Sequence, residues 1–157
     1  GHSFGYKANE IAADFLTGDA LVAMFLRIVG HGGNLLINIG PRADGSIPEE
    51  QAGPLSVLGA FLRANGRAIY GSCPDVSVPK AEISGTWVLP VRVGGARFAL
   101  VAGELTGEIR LAGWGGVMGL SILDGPALSC QRDGDDLLVQ VPPRLPASAY
   151  AVLEVAT

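Results

Sequence analysis

The sequence predicts an α+β chain in which a helix–strand–helix unit is followed by an antiparallel β-sandwich. Three observations point there. Apolar residues recur at helical spacing up to about residue 71, interrupted by one continuous apolar run, Leu35 to Ile39. Beyond Pro74 the pattern becomes short alternating strands broken by Gly and Pro. Within that second half Gly94-Gly95 is a two-residue hairpin signal between two apolar segments. The change of pattern divides the chain into residues 1–74 and 75–157.

In the first portion, Thr17 caps a helix whose positions Leu21, Val22, Phe25, Ile28 and Val29 follow the i, i+3, i+4, i+7 rule. Asp19 lies in its first turn and Arg27 in its last, each matched to the helix dipole, and Gly30 ends it. Leu35 to Ile39 reads as a strand covered on both faces, with Asn38 as its polar interruption. Ser46 and Glu49 have capping-box spacing before a second helix, with Pro48 in the first turn. Its stripe is Leu55, Leu58, Phe61 and Leu62, and Asn65-Gly66 is its expected end.

In the second portion, strands are expected at Trp87 to Val93, Ala96 to Val101, Glu108 to Leu111, Val117 to Leu123, Leu128 to Arg132, Leu137 to Val141 and Tyr150 to Val155. Asp133-Gly134 is a further turn. Several short strands at this spacing make a sandwich. Trp87 and Trp114 are the aromatic residues that a sugar-binding sandwich would use for stacking; core packing is the competing role for both.

The 157 residues are 48% hydrophobic, enough to bury a core. A net charge of -4, with the basic residues scattered singly, offers no patch for a phosphate backbone or an anionic lipid surface. Neither nucleic acid nor membrane is an expected partner. The longest apolar run, Ala20 to Val29, carries Arg27 and is about half of the ~20 residues a span requires. The first residues have neither the basic nor the apolar region of an export signal, and the compartment stays open. Cys73 and Cys130 lie far apart without metal-ligand spacing and read as free thiols. His2 and His31 are too few and too isolated for a metal site. Gly30, Gly32 and Gly33 precede the apolar run instead of following it, which does not suit a phosphate loop.

Among the carboxylates, Asp19 and Glu49 have helix-end duties, and Asp14 and Glu50 read as solvated charges. Glu10 stands apart because it follows Ser3-Phe4-Gly5-Tyr6-Lys7-Ala8-Asn9, a segment able to lay an aromatic face and an open backbone beside a ligand. Asp44 stands apart because Pro41-Arg42-Ala43-Asp44-Gly45 lies just past the C-terminal end of the expected strand, where α/β folds place ligand-contacting loops. An Asp-Gly turn is the competing role for Asp44.

Four segments together resemble the α-L-fucosidases of glycoside hydrolase family 29. They are Ser3-Phe4-Gly5-Tyr6 with Asn9-Glu10, Gly32-Gly33-Asn34-Leu35-Leu36-Ile37-Asn38-Ile39-Gly40-Pro41, Asp44-Gly45-Ser46-Ile47-Pro48, and Asn65-Gly66-Arg67-Ala68-Ile69-Tyr70-Gly71. The resemblance covers roughly residues 3–71, and the later strands are similar to the family's C-terminal β-sandwich in architecture only. It implies that residues 1–74 are a truncated helix–strand–helix remnant of a (β/α) barrel, the C-terminal part of a catalytic domain.

The resemblance also implies a retaining release of terminal α-L-fucose by two carboxyl groups about 5–5.5 Å apart, without a metal or organic cofactor. Glu10 matches the acid/base of one subgroup, Asp44 is the local candidate for a second carboxylate, and Phe4, Tyr6 and Leu35 are the expected sugar contacts. The family's nucleophilic Asp and most of its fucose-binding residues come from segments that would precede Gly1. The implied substrate is a fucosylated glycan or a small α-L-fucoside. The implied assembly is a homo-oligomer, or association with the missing part of the catalytic domain, because a lone strand leaves unpaired edges. A non-catalytic carbohydrate-binding module is the alternative function, and an inactive remnant a third.

Overall fold

A computed structural model describes residues 5–143 and 150–156. A short 3-10 turn, Ala12–Asp14, leads into helix α1, Gly18–Gly30, and a long irregular stretch connects this to α2, Glu49–Ile69. Nine strands follow: β1 Cys73–Pro74, β2 Ala81–Ile83, β3 Thr86–Val93, β4 Ala96–Ala102, β5 Gly107–Leu111, β6 Gly119–Ile122, β7 Ser129–Asp133, β8 Asp136–Val141 and β9 Tyr150–Ala156.

All pairings are antiparallel. The larger sheet runs β1-β3-β4-β9-β6, with β2 pairing a different stretch of β3; the smaller runs β5-β8-β7. The β3–β4 hairpin turns at Gly94-Gly95, with Val93 opposite Ala96, and the β7–β8 hairpin turns after Asp133. Both turns were expected.

The larger sheet is buried on both faces. Val88, Ala99, Val101, Ala151, Leu153 and Val155 point toward the smaller sheet and share a core with Ile109, Leu111, Leu137, Val139 and Trp114. Their strand neighbours Leu89, Val91, Phe98, Leu100, Ala102 and Val152 point the other way, onto Leu21, Val22 and Leu26 of α1 and Leu58, Phe61 and Ile69 of α2. A sheet covered on both sides explains why β4 reads as the continuous run Phe-Ala-Leu-Val-Ala. Three layers result, helices, sheet and sheet, as an α+β fold with a sandwich requires.

Trp114 is wholly buried, and its indole N–H donates to the Pro79 carbonyl at 2.8 Å. It is a core residue and offers no face to a sugar. At the rim of the sandwich, Asp75 accepts from the Ser77 amide and hydroxyl and from Arg97. Burial raises the Asp75 pKa, but these hydrogen bonds and the Arg97 charge outweigh it and leave the group below its usual value.

Three local expectations differ from the structure. Leu35 to Ile39 belongs to no strand, and Leu36 is 94% exposed. No parallel neighbour is present among the described residues to accept a ladder, so an apolar run built for a two-sided environment lies along the surface. Ser46 does not cap α2; Pro48 holds that position without a side-chain bond, while Ser46 donates its hydroxyl and amide to Asp44. The Asp44 carboxylate two residues away draws the Ser46 donors into a local turn. Finally, α2 passes Gly66 and continues to Ile69, because the last turn brings Ala68 and Ile69 into the core. Arg67 on the same turn reaches Asp124 at 2.8 Å and Glu154 at 3.3 Å.

The helix layer meets the sheet most closely at Gly30, where an added Cβ would lie 2.6 Å from Leu89 Cβ. Gly53, in contrast, sits on an open face of α2. Urea unfolding of Gly30→Ala is expected to show a loss of ~1–3 kcal/mol from overpacking. Gly53→Ala is expected to gain up to ~1 kcal/mol from helix propensity. Equal effects of the two would contradict the close helix–sheet contact.

Candidate active site

Helix α1 ends in a tight reversal that aims the following residues. Thr17 Oγ1 accepts from the Ala20 amide at its start. At its end the Gly32 and Gly33 amides bond back to Val29 and Ile28 at 2.8 and 2.9 Å, with Gly32 at φ 83°. Residues 33–40 then run without ladder bonds to Gly40, which is buried and donates its amide to Gln51 Oε1 at 2.8 Å. Gln51 is in the first turn of α2. One side-chain amide thus ties the end of the run to the second helix.

Gly40 is also the floor on which the N-terminal segment rests. A Cβ there would lie 2.5 Å from the Tyr6 amide nitrogen and 2.7 Å from the Gly5 carbonyl carbon, so only glycine admits this approach. The contact sets Gly5-Tyr6 against Gly40-Pro41, and the Arg42 guanidinium lies 5.7 Å from the Tyr6 ring centroid. Beyond Arg42 the chain closes a tight turn: the Arg42 amide bonds Ser46 O at 2.8 Å and the Gly45 amide bonds Arg42 O at 2.9 Å. Asp44 Oδ1 accepts from the Ser46 amide and hydroxyl at 2.9 and 2.7 Å. Those two bonds, with the nearby Arg42 charge, hold its pKa below the usual value despite a small opposing effect of burial.

Of the residues expected from the sequence, the structure brings Tyr6 and the Asp44 turn to the same end of the 33–40 run. Glu10 follows four residues after Tyr6, half-buried, with its amide bonded to Lys7 O and the Asp14-bonded Ile11 next to it. Leu35 is half-buried and packs against the helix–sheet core; its neighbour Leu36 is the side chain open to solvent. Phe4 lies outside the described residues.

Gln51 and Arg42 were not singled out from sequence, and a polar residue in a helix's first turn is too common a signal to have found the first. Between Phe15, Leu21, Ile37, Ile39, Gln51 and Leu55 there is an apolar cleft of about 110 Å³. That is smaller than the ~300 Å³ lower bound of ordinary ligand pockets. Among the described residues no cluster of His, Cys, Asp and Glu could hold a metal ion, and no helix is long and apolar enough to cross a membrane.

A family model described as α-L-fucosidase matches residues 1–67, the stretch that builds this site. Over those 67 residues the chain matches the α-L-fucosidase family. The plasma α-L-fucosidase of Rattus norvegicus is 44% identical over 68 residues, which are 43% of this chain and 15% of that protein. An α-L-fucosidase of Dictyostelium discoideum is 38% identical over 74 residues, 47% of this chain and 16% of that protein. Among solved structures, Thermotoga maritima α-fucosidase in complex with fucose superposes with a TM-score of 0.83 at 34% identity. That superposition covers 98% of this chain and 38% of the Thermotoga chain. Isoenzyme 1 of Paenibacillus thiaminolyticus gives 0.82 at 31% identity over 99% of this chain and 37% of its own. The chain therefore spans well under half the length of these fucosidases, and the likeness to the solved structures extends through the sandwich.

Because Gly40 carries the segment that leads to Glu10, Gly40→Ala is expected to lift Gly5-Tyr6 off the run. Tryptic cleavage after Lys7 reads this directly and should become several-fold faster than in the unaltered chain. An unchanged cleavage rate would show that the segment is held by something other than this contact.

Proposed function

We propose that this chain supplies the acid/base half of a retaining α-L-fucosidase site, with Glu10 as the acid/base. The observation that supports it is the seating of Gly5-Tyr6 on Gly40, which leads the Glu10 segment from the end of the glycine-asparagine run beside the Arg42–Ser46 turn. In the first step Glu10 donates its proton to the glycosidic oxygen as the bond to the anomeric carbon breaks and a nucleophilic carboxylate takes that carbon. In the second, Glu10 removes a proton from water, which attacks the same carbon and releases fucose and the nucleophile.

Asp44 has a different part in this reading. Its hydrogen bonds from Ser46 keep it ionised at neutral pH, so it holds the turn and is unsuited to donate a proton. Tyr6 forms an aromatic side to the sugar site, and Leu35 stiffens the run from beneath. The nucleophile comes from the part of the catalytic domain that the longer fucosidases have and this chain does not, on its own polypeptide or on a partner. The exposed Leu36, Ile37 and Ile39 are the surface such a partner covers, and a second copy of the chain is the other occupant that would shield it. The substrate is a terminal α-L-fucoside of a glycan or a small aglycone.

The test compares the chain, assembled with its catalytic partner portion, with its Glu10→Ala variant on two fucosides. On an alkyl fucoside, a poor leaving group, the variant is expected to lose about 10²–10⁴-fold in kcat, and much less on an activated aryl fucoside. Equal rates for both proteins on the alkyl fucoside would remove Glu10 from the mechanism.

A further inference from the structure

A second polar and aromatic cluster lies at the opposite end of the 33–40 run, where α1 meets β3. Trp87, half-buried at the start of β3, meets the His31 ring edge-on with centroids 5.1 Å apart. The Arg27 guanidinium stands 5.3 Å from the indole centroid. With Met24 and Ile28 these side chains line a groove of about 480 Å³. That volume falls within the ordinary ligand-pocket range of ~300–1,000 Å³.

The polar groups here are unspent. Arg27 is exposed and pairs with no carboxylate among the described residues, whereas Arg67, Arg97 and Arg110 each do. Its stacking on the indole fixes the guanidinium while leaving the N–H edge open for a two-pronged grip on a carboxylate. The His31 Nδ1 lies 2.7 Å from the Arg27 carbonyl, which can only accept. Nδ1 therefore carries the hydrogen, and in the neutral ring Nε2 is left as an acceptor for a hydroxyl. The Trp87 indole N–H, unlike that of Trp114, has no acceptor among the described residues. Glu82, directly opposite Trp87 in the β2–β3 pair, shares its face of the sheet and adds a hydroxyl acceptor at the rim.

We propose that this groove is a binding site for an acidic monosaccharide residue of the uronic acid class. Ile28 and Met24 meet the C–H face of the ring beside the indole, Arg27 grips the ring's carboxylate, and His31 and Glu82 take its hydroxyl hydrogens. A neutral hexose lacks the group that Arg27 needs, and a small inorganic or aliphatic acid lacks the ring that the apolar wall needs.

The two tryptophans make the test self-controlled. In ¹H–¹⁵N spectra of the chain the Trp87 indole signal, assigned by its loss in Trp87→Phe, should shift saturably with glucuronate while that of the buried Trp114 stays in place. Glucose should bind about tenfold or more weakly, and acetate should leave the Trp87 signal unmoved, since a charged hydrogen bond is worth roughly a factor of ten. Arg27→Gln, at an exposed helix position, keeps the fold and should make glucuronate bind no better than glucose. An unmoved Trp87 signal, equal affinity for the two sugars, a like response to acetate, or full glucuronate preference in Arg27→Gln would each overturn the assignment.

Discussion

Most of this structure depends on one sheet buried on both sides. β3, β4 and β9 send alternate side chains into two separate cores, one shared with the helices and one with the smaller sheet. A strand with two buried faces tolerates almost no polar residue, and its backbone groups must all be satisfied within the ladder. In β4 the stretch Phe98 to Ala102 is wholly apolar and buried. The consequence is that α1 and α2 are not a freestanding appendage: their apolar stripes have the sheet as their only floor among the described residues. Gly30 against Leu89 is the narrowest point of that contact.

The candidate active site hangs from this framework by a few specific bonds. The Schellman-type reversal after α1 sets the direction of residues 33–40, Gln51 of α2 fixes their end, and the bare backbone of Gly40 receives Gly5-Tyr6. Helix positions set by packing on the sheet thus determine where the Glu10 segment starts. The match to the α-L-fucosidase family model lies on that same stretch. The hydrolytic role proposed for it needs a second carboxylate from outside the residues described, and the run at Leu36 to Ile39 lies open to solvent.

Much of the fold was legible because its signals are local. Thr17 before an amphipathic stripe, Gly94-Gly95 between two apolar runs, and Asp133-Gly134 all specify their geometry within a few residues. The Leu35 to Ile39 run misled because hydrophobicity reports the environment a segment was built for, whereas a strand also needs a partner ladder. Ser46 misled because its hydroxyl and amide donate to Asp44 instead of its oxygen accepting from the helix start, and spacing alone does not distinguish the two. Gly66 signalled a helix stop, but tertiary burial of Ala68 and Ile69 carried the helix past it. Glu10 and Asp44 stand out in the sequence only through the residues around them. The meeting of Arg27, His31 and Trp87, some sixty positions apart at its extremes, could be found only once α1 was laid on β3.

The central claim is that helices and sheets form one cooperative unit around the shared larger sheet. Native-state hydrogen exchange tests it most directly. The account predicts that the slowest amides of α1, such as Leu26, exchange with the same free energy and denaturant dependence as those of β4, such as Leu100, because neither can open without exposing the common core. If the α1 and α2 amides instead exchanged through a separate opening, at clearly lower free energy and with the sheets still protected, the helix layer would be an independent element and the account would be contradicted.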